Sequence, residues 1–112
     1  MPPEFFMKSI KAEVKETERL FRAILSLRTE EECSRFFEDL CTINEKNAMA
    51  QRLEVARLLK DGVTYHEIAQ ATGASTATIS RVNRCLNYGA GGYGTVLERI
   101  LKTEGGAADE NK

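Results

Sequence analysis

The stretch from Thr64 to Leu86, TYHEIAQATGASTATISRVNRCL, says more about the fold of this 112-residue chain than any other part of the sequence. Its pattern predicts two short helices joined by a tight turn at Gly73. Ala69 lies one helical turn before that glycine, where two crossing helices press together. Apolar contacts on either side of the turn are expected from Ile68, Ile79 and Val82. This arrangement is typical of a helix-turn-helix, whose second helix usually enters the major groove of DNA.

The second short helix has two unlike sides when its residues are placed 100° apart. We expect the core-facing side to carry Ser75, Ile79, Val82 and Leu86. The other side carries Ala77, Ser80, Arg81 and Arg84. This side carries small residues near the start of the helix and basic residues further on, a pattern that suits contacts with base edges and phosphates. Thr76 lies near the helix start, where base contacts concentrate in this motif, and Ser75 is the predicted N-cap.

Another interpretation of the same stretch stays open. Helix pairs with a glycine turn also occur in proteins that never touch DNA, and two arginines on a helix are usually a solvated face. Thr72 also stands where many such units have a larger apolar residue. The alternative function is therefore a helical dimer that binds protein partners through a non-DNA-binding helix pair. We favour DNA binding because glycine, alanine and branched apolar residues all fall where the motif needs them.

The remaining sequence predicts an all-α chain of six helices. The capping-box pattern T-x-x-E occurs four times, starting at Thr29, Thr42, Thr64 and Thr95. Each precedes an apolar helical pattern and marks a helix start. The expected helices span about residues 9–27, 30–41, 43–61, 65–72, 76–88 and 96–102. This predicts a single helical domain over residues 1–102, with the helix-turn-helix at 64–88 and a flexible tail over 103–112.

Apolar residues predict both the core and self-association. The third helix is expected to bury Met49, Leu53, Ala56 and Leu59, with Gly62 as its C-terminal cap. The second is expected to turn Cys33, Phe36, Phe37 and Leu40 inward. The first helix carries neighbouring pairs of apolar residues, Leu20 with Phe21 and Ile24 with Leu25. One narrow stripe would not use both members of each pair, so we favour a homodimer over an apolar monomer surface.

Composition and charge exclude several classes of protein. The net charge is −1, but residues 63–103 hold four basic side chains against two acidic ones, a modest local excess. No apolar run approaches the roughly 20 residues of a membrane span, and the start MPPEFFMKS lacks the features of a signal peptide, so we expect a cytoplasmic protein without a membrane. Three cysteines without a C-x-x-C pair predict buried free thiols and no metal site.

Enzyme chemistry has little support in this sequence. Residues 89–94, GAGGYG, match G-x-G-x-x-G, but they follow a helix rather than a strand, so we interpret them as a flexible connector and not a nucleotide site. His66 is the single histidine, and the sequence has no Gly-x-Ser-x-Gly motif that would supply a nucleophilic serine, so a catalytic triad has little support. It lies near the start of the first short helix, where it can reach a phosphate. We expect no catalytic residues and no enzymatic activity.

Residues 55–101 resemble the Trp repressor superfamily, in particular its YerC/YecD-type branch. The resemblance is carried by Leu58-Leu59, Thr64 with Glu67, Gly73-Ala74, Ala77-Thr78-Ile79-Ser80-Arg81 and the glycine-rich segment after Asn87. It implies an all-helical, intertwined homodimer that binds double-stranded DNA at a two-fold operator, acting as a transcriptional repressor. By matching position, the DNA-facing residues it implies are Tyr65, His66, Ser75, Thr76, Ala77 and Ser80.

Ligand binding transfers less well through this resemblance. In the Trp repressor two arginines sandwich the indole of bound tryptophan. Arg81 matches one of them and Thr78 a nearby pocket threonine, whereas the other arginine aligns with Gln51, beside Arg52. A small glycine of the family is replaced by Val82, whose branched side chain would crowd a planar ring. We therefore predict no cofactor and no tight binding of L-tryptophan; another effector is unknown.

Overall fold

The computed structural model describes the backbone of residues 3–110 and the side chains of residues 10–104. Over that range the chain forms six α-helices and no strand, which confirms the all-α prediction. The helices are α1 (Pro3–Leu25), α2 (Glu30–Leu40), α3 (Ile43–Lys60), α4 (Tyr65–Thr72), α5 (Thr76–Tyr88) and α6 (Gly92–Glu110). They fall into two compact units, Met1–Thr42 and Ile43–Lys112.

The first unit holds α1 and α2 and has no buried core of its own among its described side chains, those of residues 10–42. The cap of α2 is the predicted one, because the hydroxyl of Thr29 accepts a hydrogen bond of 3.0 Å from the amide of Glu32. The other half of the expected capping box differs. The Glu32 carboxylate accepts from the amide of Arg28, at 2.8 Å, one residue before the cap.

The second unit builds a core from four helices. Its fully buried residues are Val55, Ala56, Ile68, Ala74, Ile79, Val82 and Leu97. Helix α3 packs against α4, α5 and α6 and is therefore the scaffold of the unit. Since burial of apolar surface is the main favourable term in folding, this cluster holds the two short helices in place.

The predicted core face of α3 is correct in part. Ala56 is fully buried, and Leu53 and Leu59 are partly buried against the core. The expectation for Met49 is wrong in this chain, because its side chain is 37% exposed. Val55, which we did not place inside, is fully buried. A helix that packs against three others buries a wider arc than the single stripe we predicted.

The cap of α3 at Gly62 is confirmed. Gly62 adopts a left-handed conformation with φ of 81°. Its amide donates to the carbonyl of Leu59, and the amide of Val63 donates to that of Leu58, both at 3.0 Å. These two bonds define a Schellman motif, which satisfies carbonyls that the helix end would leave without partners.

Helix α1 covers a different range from the predicted 9–27. It begins at Pro3, a residue that suits the first helical turn because its missing N–H has no helical partner there. It ends at Leu25. The amide of Ser26 is shared between the carbonyls of Arg22 and Ala23, and the amide of Leu27 donates to the carbonyl of Ile24, three residues back. Helices α2 and α3 each end one residue earlier than expected.

Helix α6 is longer than the predicted 96–102. It starts at Gly92, directly after Gly91, whose φ is 86°. Thr95 therefore lies inside the first turn, and the predicted capping box at Thr95 is wrong. The helical backbone continues to Glu110, through most of the segment expected to be a flexible tail, and residues 111–112 lie outside the described residues. The single domain over 1–102 and the mobility of the tail stay predictions.

Three further observations concern the cysteines, the length and apolar character of the helices, and the potential metal ligands. Cys33 and Cys41 are half-buried, but Cys85 is exposed, so the prediction of three buried thiols is wrong for Cys85. In the part of the chain that the structure describes, no helix combines the length and apolar character that crossing a bilayer requires. Nor do the described residues bring together three or more potential metal ligands.

Candidate functional site

The first helix of the predicted pair, α4, begins where the sequence indicates. Thr64 is its N-cap, and the threonine hydroxyl accepts a hydrogen bond of 3.2 Å from the amide of Glu67. This cap fixes the first turn of α4. Tyr65 and His66 occupy that turn, and both side chains are exposed. The structure therefore places these two predicted DNA-facing residues at the surface.

The turn after α4 is the predicted glycine turn. Gly73 has φ of 73°, in the left-handed region that side chains disfavour, and its amide donates to the carbonyl of Ala69 at 2.9 Å. Ala69 is partly buried against the core, and Ala74, directly after the glycine, is 5% exposed. The chain therefore reverses between the partly buried Ala69 and the buried Ala74, and α5 packs against α3.

The second helix, α5, begins with the predicted cap. The hydroxyl of Ser75 accepts from the amide of Thr78 at 3.1 Å, and it also lies 3.1 Å from the hydroxyl of Thr78, to which it donates. These contacts occupy both the acceptor and the donor of the Ser75 side chain. The amides of Thr76 and Ala77 lie in the first turn of α5, the position at which a helix favours an anion.

The two sides of α5 differ as predicted, except that Ser75, which we expected on the core-facing side, is exposed at the N-cap. Ile79 and Val82 are each 1% exposed and belong to the core. The opposite side, here called the outer face of α5, is formed by Thr76, Ala77, Ser80, Arg81 and Arg84. All of these are exposed except Ser80, which is half-buried. The outer face therefore lies open on this chain while its back is anchored.

Electrostatics distinguish the arginines of α5 from an arginine of α3. The guanidinium of Arg57 donates to the carboxylate of Glu54, with Nε 3.1 Å from Oε1, and its Nη1 lies 3.5 Å from Asp61. The hydrogen bond from Arg57 holds the pKa of Glu54 below its usual value, and the same pair raises the pKa of Arg57. Among the described residues no ion pair involves Arg81 or Arg84, so their charges are available to an outside anion.

The residues considered for an effector do not all line the cleft that contains Gln51. Gln51 lines a cleft of about 420 Å³ with residues of α3 and α4, namely Asn47, Ala50, Glu54, Ala71 and Thr72. Neither Thr78 nor Arg81 lines that cleft, and the hydroxyl of Thr78 is bonded to Ser75. Arg52 is half-buried on α3, and the side chain of Val82 is in the core.

A polar contact between α3 and the turn was missed by sequence reasoning. The side-chain amide of Gln51 donates to the backbone carbonyl of Thr72 at 3.1 Å. The hydroxyl of Thr72 donates to the carbonyl of Ile68 at 2.7 Å and accepts from the amide of Ala74 at 3.1 Å. The unusual threonine at this position was the available signal, because a polar side chain beside a turn often bonds the turn's own backbone.

An apolar pocket lies on the same unit, where α5 ends and α6 begins. It measures about 500 Å³ and is lined by Leu53, Cys85, Gly89, Ala90, Gly92, Tyr93 and Val96. The connector between α5 and α6 is only three residues long and forms part of its wall. A side chain at Gly89 would place its Cβ 2.3 Å from the carbonyl oxygen of Cys85, so the close turn requires glycine.

Comparison with known proteins gives consistent matches over most of the chain. Residues 15–101 match the family described as Trp repressor protein. The chain is 63% identical over 90 residues to the uncharacterized protein YerC of Bacillus subtilis strain 168, a match that covers 80% of this chain and 86% of that protein.

Two solved structures are similar in fold and sequence. One is a candidate Trp repressor from Staphylococcus aureus, with a TM-score of 0.75 and 50% identity, covering 78% of this chain and 87% of the other. The second is a TrpR-like protein from Eubacterium eligens ATCC 27750, with a TM-score of 0.75 and 58% identity, covering 77% and 89%. These matches agree with the six-helix architecture and extend beyond the two short helices.

Proposed function

The chain belongs to the Trp repressor family, and on that premise we propose that it is a sequence-specific DNA-binding transcriptional regulator that acts as a repressor. The family is one of regulators and not of enzymes. The proposed interface is the outer face of α5, together with Tyr65, His66 and Ser75 near the starts of α4 and α5. A regulator of this kind acts in the cytoplasm.

The observation that carries this proposal is the opposite burial of the two sides of α5. Ile79 and Val82 anchor the helix in the core, whereas Thr76, Ala77, Arg81 and Arg84 are exposed on the other side. Small residues near the start of the helix permit close approach to base edges. The arginines further on can reach bases or phosphates. Such a helix fits the major groove, and its exposure supports the proposed role.

We further propose that the protein acts as a homodimer. Several large apolar side chains are exposed on the single chain, among them Val14 at 52%, Phe21 at 56% and Leu25 at 83%. The apolar pocket beside Tyr93 adds a concave surface on the other unit. Val14, Phe21 and Leu25 lie on one side of α1 at 100° per residue, and exposed apolar side chains grouped in this way mark an interaction site. A two-fold dimer would present two α5 helices to a two-fold operator.

The proposal includes no tight binding of tryptophan. The departures that motivate it are Gln51 and Val82, and Gln51 donates to the carbonyl of Thr72 in the structure. Isothermal titration of the purified protein with L-tryptophan measures this directly. We expect no heat of binding at micromolar ligand, and a dissociation constant in the micromolar range or below would contradict the proposal.

Selection of duplexes from a random pool tests DNA recognition. We expect the purified protein to enrich inverted repeats whose halves lie about one helical turn apart. Binding to the selected duplex should weaken steeply with salt, because phosphate contacts release counterions. The control is a duplex of the same length and composition with both half-sites scrambled.

Two results would contradict the proposed function. If no duplex sequence is enriched over repeated rounds of selection, the protein does not recognise a specific sequence. An affinity equal for selected and scrambled duplexes would reduce the interaction to non-specific charge. Either result would favour the alternative of a helical dimer that acts through protein partners.

A further inference from the structure

We propose that Gln51 is a positioning residue for DNA binding, whose side-chain amide holds the turn of the helix-turn-helix against α3. This rests on the proposed function, because the consequence of positioning is read in DNA affinity. The juxtaposition that carries it is the 3.1 Å hydrogen bond from Gln51 on α3 to the carbonyl of Thr72, the last residue of α4.

The end of α4 explains why this bond matters. The last four carbonyls of a helix have no partner within the helix. At the end of α4 the amide of Gly73 donates a hydrogen bond to the carbonyl of Ala69, and the side-chain amide of Gln51 donates one to the carbonyl of Thr72. The Gln51 bond is part-buried, so its loss leaves a carbonyl that water reaches poorly. The turn is thereby tied to the scaffold helix across 21 positions of sequence.

The bond reaches α5 through Thr72. Its hydroxyl donates to the carbonyl of Ile68 and accepts from the amide of Ala74, and both of these residues are buried. Ala74 directly precedes Ser75, the N-cap of α5. The residues that set the start of the outer face are therefore fixed to α3 by a hydrogen-bonded chain as well as by apolar packing. A turn released from Gln51 would let the first turn of α5 shift, and DNA contacts tolerate little shift.

Substitution of Gln51 by glutamate tests the hydrogen bond through the pH dependence of DNA affinity. A side chain that only fills space would not give such a pH dependence. The change keeps the shape of the side chain, but an ionised carboxylate cannot donate to the Thr72 carbonyl, whereas the protonated acid can. At pH 7.5 we expect Gln51→Glu to bind the selected duplex about 5- to 10-fold more weakly than the wild type. The deficit should shrink as pH falls toward the ordinary glutamate pKa of about 4.3.

Neighbouring groups must be considered in this pH profile. Glu54 is the titratable side chain that lines the cleft with Gln51, and α4 contributes only Ala71 and Thr72 there. The Arg57 hydrogen bond lowers the pKa of Glu54, and this pair is present in the variant and the wild type alike. Each affinity is expressed relative to the wild type at the same pH, which removes the effects of side chains common to both proteins.

Two further variants separate the causes of a loss. Asn47→Asp places the same charge one turn away on the same helix, at an exposed residue of the same cleft, and should change affinity less than 2-fold. Gln51→Met removes the donor without adding a charge and should lose affinity at every pH. Amide hydrogen exchange of Gly73 and Ala74 should be faster in Gln51→Met than in the wild type.

The outcomes are distinct. Wild-type affinity and wild-type exchange in both Gln51 variants would overturn the inference, and so would an equal loss in Asn47→Asp, because charge alone would then explain it. The inference is supported if Gln51→Glu loses affinity in a pH-dependent way and Gln51→Met loses it at every pH. Exchange at the turn should also be faster in Gln51→Met. If the wild type binds no duplex, the proposed function fails and positioning for DNA fails with it, and exchange alone then decides whether Gln51 holds the turn.

Discussion

At the scale of single residues, the proposed function depends on a few exposed side chains of α5, of which Arg81 and Arg84 form no ion pair within the described chain. Arg81 and Arg84 are exposed, whereas Arg57 is paired with Glu54 and Asp61. Pairing lowers the attraction that a guanidinium can offer to phosphate. The outer face of α5 is therefore the part of the helix-turn-helix best suited to an anionic partner.

Alanine substitution of these arginines should weaken DNA binding. Arg81→Ala or Arg84→Ala removes a contact to base or phosphate, and each should cost about 1–3 kcal/mol if the contact is to a base. A phosphate contact should instead reduce the slope of log affinity against log salt by about one. Fluorescence anisotropy with the selected duplex at several salt concentrations separates the two. Arg99→Ala, an exposed arginine of α6, is the matched control and should leave both quantities near the wild-type values.

A second prediction at this scale concerns the pH dependence of stability. Folding lowers the pKa of Glu54, chiefly through the hydrogen bond from Arg57, so the pair stabilises the fold above the unfolded carboxyl's pKa. The contribution is lost as pH falls through the lower folded pKa. Both side chains are at least one-third exposed, and screening by water limits the effect to about 0.5 kcal/mol.

Urea unfolding of Glu54→Gln measures this contribution. The variant should be slightly less stable than the wild type at pH 7, and the difference should shrink as pH falls through the lowered pKa of Glu54. Glu98→Gln, at an exposed carboxylate of α6, serves as the control and should show no such pH-dependent difference. A deficit that persists unchanged at pH 3 would contradict the assignment to this ion pair.

At the scale of elements, local interactions were predictable and long-range ones were not. The caps at Thr64 and Ser75 and the turn at Gly73 depend on residues within four positions, so the sequence pattern was sufficient. The start of α6 depends on the conformation of Gly91, and the T-x-x-E pattern at Thr95 favoured a start one turn too late. A short pattern cannot distinguish a cap from the same residues inside a first turn.

The burial of individual residues and the contacts between helices could not be predicted without the packing of the helices in the second unit. Val55 is buried because α3 packs against three helices, a fact that the periodicity of α3 alone does not contain. Gln51 meets Thr72 across 21 positions, and nothing local to either residue indicates the pair. The outer face of α5 was predictable because burial on a single helix follows the 3.6-residue period. Contacts with DNA by the individual side chains stay predictions.

The turn of the helix-turn-helix should be sensitive to glycine substitution. Gly73→Ala meets no atom within 4 Å, so its cost comes from the positive φ of 73° alone and should be about 1–2 kcal/mol. Gly94→Ala is the matched control, because Gly94 lies in α6 without a positive φ and also has open space around it. It should raise stability by up to about 1 kcal/mol through helix propensity. Thermal unfolding of both variants would contradict this account if Gly73→Ala were as stable as the wild type.

At the scale of the whole molecule, the proposed dimer accounts for apolar surface that one chain leaves exposed. Phe21→Glu should disrupt association or folding, because a charge would be buried against the partner. Ala12→Glu lies opposite Phe21 on α1 at 100° per residue, is exposed, and should leave the assembly intact. Light scattering at micromolar concentration should give twice the 12.5 kDa of one chain for the wild type and Ala12→Glu. A wild type that stays monomeric across the micromolar range would contradict the proposal.

The central claim is that the outer face of α5 enters a groove of DNA while the core of the second unit holds its back. Backbone amide NMR of the labelled protein during titration with the selected duplex tests it most directly. We predict that the largest shift changes fall on residues 75–84 and at Tyr65 and His66, with residues of α6 little affected. Changes confined to residues outside 64–88, with α5 unperturbed at saturating duplex, would contradict the account.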